Sequence, residues 1–298
     1  MINISCALVG LGNIGFEYKK NFKNTIQNHA KALSSIKKIN FVGGIDKSLK
    51  KRKNFSKKYN IQSFRNLTEL KKKNKPNFFV VCVNTKNIYN VIREIILNFT
   101  PKIIVCEKPI SFHYKEVLKI IYLCKKKKIK LYINFQRRSD PSYISLKKKI
   151  NKVPNKMEGN IFYDKGFIYN CCHYINLILY LFGNYKSHYN FKIKKMNKFD
   201  YMVNTKIIFN NATVNFIYKN KTIKEFEFKN ERNMLLKYKN KPICYNSKKY
   251  DNSFKMSQKH FYLELIKSLN KKSSNICDAN EALKTFKLIF LILKGYKK

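Results

Sequence analysis

The chain of 298 residues has no tryptophan, no long hydrophobic run, no Cys-x-x-Cys pair and few glycines, prolines or acids. The longest apolar stretch near the end, Leu288 to Leu293, is far too short to span a bilayer. Eight cysteines are present, but the adjacent Cys171-Cys172 lacks metal-ligand spacing, so no metal site is expected. Cys6, Cys82 and Cys106 sit in apolar strand-like runs and read as small buried hydrophobes of a reducing compartment. The N-terminus enters an apolar strand directly, so no secretory leader and a cytoplasmic location are expected.

Acidic residues are the sharpest shortage: 17 Asp+Glu against 63 Lys+Arg, a formal charge of +46. Taken alone, that balance suggests nucleic acid or an anionic membrane surface as partner. The lysines are spread along the whole chain, however. Asn, Ile, Phe and Tyr are abundant while Gly (9) and Pro (6) are scarce, the pattern of a coding bias toward AT-rich codons. The field favours anionic ligands and non-specific polyanion binding at low salt. Without a docking motif, neither a specific nucleic acid nor a membrane is an expected partner.

What is present is a globular composition, 44% hydrophobic, long enough for two ordinary domains. Three of the nine glycines fall in one spacing. The apolar run Ile4–Val9 leads into Gly10-x-Gly12-x-x-Gly15, the strand, turn and helix entry of a dinucleotide-binding unit. Gly10 permits the tight turn, Gly12 lets backbone approach a pyrophosphate, and Gly15 lets the next element pack on the strand. A helix N-terminus there offers unpaired N–H groups to phosphate.

The first half then alternates. Strands are expected at Asn40–Ile45, Phe78–Val83, Ile103–Cys106 and Lys130–Phe135. Helices are expected within Phe16–Ile36 and over Lys47–Tyr59, Ile88–Phe99 and His113–Lys127. Strand–helix alternation predicts an α/β, doubly wound parallel Rossmann sheet, and the unbroken apolarity of Phe78–Val83 suits a strand covered on both faces. Past residue 140 the grammar changes. Helices at Ser142–Ile150 and Cys171–Phe182 precede short strands at Tyr189–Ile193, Thr205–Phe209, Thr213–Tyr218 and Thr222–Phe228. Two helices close the chain, His260–Leu269 and Ala279–Leu293. This predicts a C-terminal α+β domain with a mostly antiparallel sheet. The expected division is 1–118 and 119–298, the last helices being free to pack back on the first domain.

In order and spacing these motifs resemble the Gfo/Idh/MocA oxidoreductases, nearly end to end. The resemblance rests on VGLGNIG at 9–15, His29-Ala30-Lys31-Ala32-Leu33, Gly44-Ile45-Asp46, the Glu107-Lys108-Pro109 motif, Asn134-Phe135-Gln136-Arg137-Arg138-Ser139-Asp140-Pro141, and Lys165-Gly166 through Asn170 to His173. It implies NAD(P)-dependent oxidation or reduction of a sugar, cyclitol or nucleotide sugar, bound between the two domains. It also implies a homo-oligomer paired through the C-terminal sheet.

Hydride transfer from an alcohol needs a proton acceptor tuned near neutrality and a donor that stabilises charge on oxygen. His173 fits the first role, since imidazole titrates in that range; the alternative is a core histidine bonded to a backbone carbonyl. Lys108 fits the second, at the carboxyl edge of a parallel sheet where such folds bind ligands. The resemblance implies that it touches both nicotinamide and substrate. Asp46 ends the second strand, where a carboxylate accepts from the adenosine ribose and disfavours a 2′-phosphate, which favours NAD over a still possible NADP. A turn or helix cap is its alternative role. Its distance from the glycine turn exceeds the usual ~20 residues, the excess lying in Glu17–Asn28. The expected cofactor set is Gly10, Gly12, Asn13, Ile14, Gly15, Asp46, Asn84, Thr85, Glu107 and Lys108. Arg138 and Asn170 join Lys108 and His173 as substrate residues, Arg138 being either an anion clamp or an ion-pair partner of Asp140.

The chain departs from the family pattern at Tyr169 and Asn176, where some members carry Asp, at Cys171-Cys172 in place of Gly-Ser, and at Ile88 in place of His. These departures motivate a second reading, a catalytically altered NAD-binding member with a regulatory role. A third, a nucleic-acid-binding protein, rests on the charge alone.

Overall fold

The computed structural model describes residues 4–17, 25–152, 156–219, 234–238, 241–242 and 253–295. The expected strand Thr222–Phe228 and Cys244 lie outside them. The chain forms two compact units, Met1–Ser139 with Lys255–Leu283, and Asp140–Phe254 with Lys284–Lys298.

In the first unit six strands form one parallel sheet: β1 (Ile4–Val9), β2 (Ile39–Ile45), β3 (Ser63–Phe64), β4 (Phe78–Val81), β5 (Ile103–Cys106) and β6 (Lys130–Ile133). Their order, β3-β2-β1-β4-β5-β6, is the doubly wound arrangement, with the chain reversing direction across the sheet between β1 and β4. Every residue of β4 and β5 is buried, which explains their unbroken apolar sequence. Helices α1 (His29–Ser34), α2 (Leu49–Tyr59), α3 (Leu67–Lys73), α4 (Thr85–Asn98) and α5 (Tyr114–Lys126) link the strands. The asparagine-rich composition supplies their caps. Asn28, Asn66 and Asn84 accept from Lys31, Glu69 and Lys86 N–H at 2.8, 2.9 and 3.2 Å, and Asn60 closes α2 in the left-handed region at φ 53°.

β6 pairs with β5 from Ile103↔Lys130 to Cys106↔Ile133, so the first unit runs on to Ser139, past the expected division at residue 118. It also takes in α8 (Ser257–Leu269), whose Phe261, Tyr262, Leu265 and Leu269 join the core of β1, β4 and α1.

The second unit holds α6 (Pro141–Ile150), β7 (Met157–Tyr163), α7 (Cys172–Phe182), β8 (Tyr185–Lys195), β9 (Tyr201–Phe209), β10 (Ala212–Tyr218), β11 (Met234–Tyr238) and β12 (Lys241–Pro242). Helix α9 (Ala279–Lys294) ends the described chain. The sheet order is β12-β11-β7-β10-β9-β8, antiparallel except for the parallel β7–β10 pair. The fold is therefore α/β with an α+β second unit, as read from the sequence. Strand β7 escaped that reading because its inward row, Met157, Gly159, Ile161 and Tyr163, includes a glycine and alternates with Glu158 and Asn160. Asn176, at one departure from the family pattern, is buried in α7 and donates to Thr285 Oγ1 at 2.9 Å.

Among the described residues no helix is long and apolar enough to cross a membrane, and no cluster of His, Cys, Asp and Glu could hold a metal. The seven described cysteines are buried free thiols, and burial pushes Cys6, Cys106 and Cys171 well above the ordinary thiol range.

Candidate active site

The turn after β1 is shaped by its glycines. Gly10 has φ +98°, and a Cβ on it would lie 2.6 Å from the Cys82 carbonyl oxygen. A Cβ on Gly15 would overlap the Gly10 carbonyl oxygen. Gly12 is different: within 4 Å its Cβ would meet only Lys51 Nζ, at 3.8 Å. Its backbone therefore faces open space, as the close approach of a phosphate requires. The segment that follows, Asn13–Glu17, is a π turn closed by Phe16 and Glu17 N–H on the Gly12 carbonyl at 2.7 and 3.0 Å.

Asp46, at the end of β2, does two jobs at once. Its Oδ2 accepts from Leu11 N–H at 2.9 Å, tying the glycine turn to β2. Its Oδ1 accepts from Ser48 N–H at 2.9 Å, the turn role raised as its alternative. Arg52 fixes the same turn by donating to the Asp46 and Lys47 carbonyls at 2.9 and 3.0 Å.

A pocket of about 500 Å³ opens beside this loop; Gly10, Gly12, Asp46, Lys51, Arg65 and Asn84 are among its lining residues. It lies at the carboxyl ends of β1, β2 and β4, by the reversal in strand order, where open α/β sheets bind ligands. Asn84 caps α4 there, with Thr85 buried behind it.

The Glu107-Lys108-Pro109 motif follows β5, with a cis peptide between Lys108 and Pro109. Glu107 belongs to a buried polar network that the sequence reading did not assemble. Its Oε1 accepts from His29 Nε2 at 2.8 Å and from the Asn134 amide. His29 Nδ1 meets the Tyr262 hydroxyl at 2.5 Å, and Asn134 Nδ2 reaches Gln258 Oε1 at 3.2 Å. His29 and Tyr262 are fully buried. Burial would raise the Glu107 carboxyl, but the bond and charge of His29, the Asn134 amide and the charge of Lys108 outweigh it and hold the group below the usual carboxylate range. A histidine, a glutamate and an asparagine, each in its own motif, were the available signal; that the three converge was not readable.

In the second unit, Gly166 opens the π turn Phe167–Cys171, which carries Asn170 and leads into α7. Asp200, 3% exposed, caps this turn: its oxygens accept from Ile168, Tyr169 and Tyr201 N–H at 2.8, 2.9 and 2.8 Å. Burial pushes its carboxyl above the ordinary range against the pull of those bonds. A Cβ on Gly166 would overlap that carboxylate. Asn170 and His173 are half-buried, while Tyr169 is 52% exposed. Arg138 is buried in the first unit, its guanidinium paired with Glu281.

A doubly wound sheet, a glycine turn open to a pocket and a carboxylate at the end of β2 define a dinucleotide-binding protein. Residues 4–135 match the model of the Gfo/Idh/MocA oxidoreductase family, described as having an NAD-binding Rossmann fold. No curated protein matches the chain by sequence. Solved structures share its fold at low identity. The WlbA dehydrogenase of Bordetella pertussis, solved with NADH and UDP-GlcNAcA, is 14% identical over 98% of this chain and 95% of that one, with a TM-score of 0.76. A putative myo-inositol dehydrogenase of Sinorhizobium meliloti is 15% identical over 99% and 98%, at 0.75. An Agrobacterium radiobacter oxidoreductase, solved with NAD+, L-tartaric acid and magnesium, is 11% identical over 98% and 96%, at 0.74.

Proposed function

We propose that this chain is an NAD-dependent dehydrogenase or reductase acting on a CH–OH carbon of a sugar, cyclitol or nucleotide sugar. The observation that carries the reading is the pocket where the open backbone of Gly12 and the carboxylate of Asp46 line one cavity. Gly10, Gly12, Asn13, Ile14 and Gly15 would hold the diphosphate, Asp46 the adenosine ribose, and Asn84 and Thr85 the nicotinamide end. When bound, NAD supplies the hydride acceptor or donor. Glu107 acts through its neighbour: its Oε1 is engaged by His29 and Asn134, which suits it to orienting Lys108. Lys108 donates a hydrogen bond to the reacting oxygen, His173 exchanges the proton, and Asn170 orients the substrate. Arg138, buried and paired with Glu281, would help position an anionic part of the substrate. A partner copy bound through the second sheet and a cytoplasmic setting complete the proposal.

The test is NADH titration by fluorescence at about 150 mM salt, which suppresses non-specific attraction to the basic surface. NADH should bind, and Gly12→Asp, which sets a carboxylate in the phosphate space, should abolish binding. Absence of NADH binding to the wild-type chain would remove the dehydrogenase reading. Once a nucleotide-sugar panel yields turnover, His173→Ala should lower it by roughly 100-fold or more with NADH affinity unchanged. Unchanged turnover would exclude His173 from the chemistry. Binding without turnover across the panel would favour the regulatory reading that Tyr169 and Asn176 motivate.

A further inference from the structure

We infer that Lys51 is a diphosphate-binding residue of the cofactor pocket, supplying positive charge from the first turn of α2. The inference rests on the pocket being the NAD site. In a dinucleotide fold the pyrophosphate is held by the N-terminus of the helix after the glycine turn. Here the described residues that follow the turn open as a π turn, Asn13–Glu17. A fixed positive charge faces this turn from across the pocket. Lys51 lies in the first turn of α2, lines the pocket, and brings Nζ to 3.8 Å from the position a Gly12 Cβ would occupy. That is the space into which the Gly12 backbone opens.

Local rules argue against a lysine at this position. Ser48 caps α2 by accepting from Lys51 N–H at 3.4 Å, so Lys51 stands three residues past the cap, where a capping box places Glu or Gln. A cation in a first turn also opposes the helix dipole, and α2 has no acid there to offset it. A residue that violates two local preferences at the rim of a pocket is placed for a ligand. Its Nζ pairs with Glu17 Oε2 at 3.7 Å, with both side chains about one-third exposed (34% and 35%). A loose, solvated pair of this kind contributes little and yields readily to a ligand dianion. Lys51 then exchanges the Glu17 carboxylate for a phosphate oxygen, with no covalent step.

The experiment is fluorescence titration of NADH and NADPH against wild type, Lys51→Met and Lys51→Arg, repeated from low to high salt, with a thermal melt of each variant. Lys51→Met should melt as wild type does, weaken NADH and NADPH equally by about tenfold, and flatten the salt dependence of binding. Lys51→Arg should restore most of the affinity. A loss under threefold overturns the inference. So does a loss confined to NADPH, which would assign Lys51 to the 2′-phosphate instead. Failure of the wild-type chain to bind NADH at all overturns the underlying cofactor reading, so the two failures are distinguishable.

Discussion

Replacing Glu107 by glutamine is expected to destabilise the first unit by about 1.5–3 kcal/mol at neutral pH, the usual range for a buried hydrogen bond to a charged group. The carboxylate is nearly enclosed, with 12% of its side chain exposed, and stands against a histidine that has no exposure at all. Removing its charge leaves His29 between a neutral amide and the Tyr262 hydroxyl, and gives the Asn134 amide a weaker, uncharged acceptor. The network also joins distant parts of the chain. His29 comes from α1, Glu107 from the end of β5, Asn134 from the end of β6, and Gln258 and Tyr262 from α8. Damage at one member should therefore loosen the packing of α8 on the sheet.

The pH dependence has a definite sign. Burial raises the Glu107 carboxyl, but His29, Asn134 and Lys108 together bring it below its ordinary value. A carboxyl depressed in the folded state stabilises the fold above the unfolded-state pKa, and that contribution is lost as pH falls through the depressed value. The gap between wild type and Glu107→Gln should be widest near neutrality and should narrow below about pH 4. Urea unfolding at several pH values measures it. A gap independent of pH would mean that Glu107 contributes packing and not charge.

Much of this architecture was legible because its signals are local. An apolar run entering Gly10-x-Gly12-x-x-Gly15 names both a strand and a turn, and the alternation after it names a parallel sheet. Asp46 was legible as a carboxylate at a strand end, and the turn role raised for it is filled by one oxygen on Ser48 N–H; the bond of the other oxygen to the glycine loop was not legible. Short elements were not legible. β3 is two residues long and α3 seven, below the length at which periodicity separates helix from strand. Convergent groups were not legible either. His29 reads as one letter of a helix, and only the fold brings it to Glu107. Asp200 offered a faint signal, a lone acid in a basic stretch between two strands, but nothing local tied it to Gly166, 34 positions earlier.

That Gly166–Asp200 pairing gives the second large effect. Gly166 has φ −40° and ψ 152°, so a left-handed backbone does not explain the glycine. Space does: the position of a Cβ is taken by the Asp200 carboxylate, which caps the turn that carries Asn170 and leads to His173. Gly166→Ala should therefore cost about 3 kcal/mol, because the carboxylate must leave its backbone donors to admit the methyl group. Asp200→Ala should cost a similar amount by uncapping the same N–H groups. The two costs cannot add, since each removes the same bonds. In the Asp200→Ala background the methyl finds the vacated space, and Gly166→Ala should be close to neutral, or slightly stabilising through the stiffer unfolded chain. Chemical denaturation of the four species gives the coupling directly. An equal cost for Gly166→Ala in both backgrounds would show that the glycine is needed for something other than room for Asp200. A coupling near the full single-mutant cost would identify the Lys165-Gly166 motif as the seat of a buried carboxylate, whose purpose is to hold the turn from which the proposed substrate residues project.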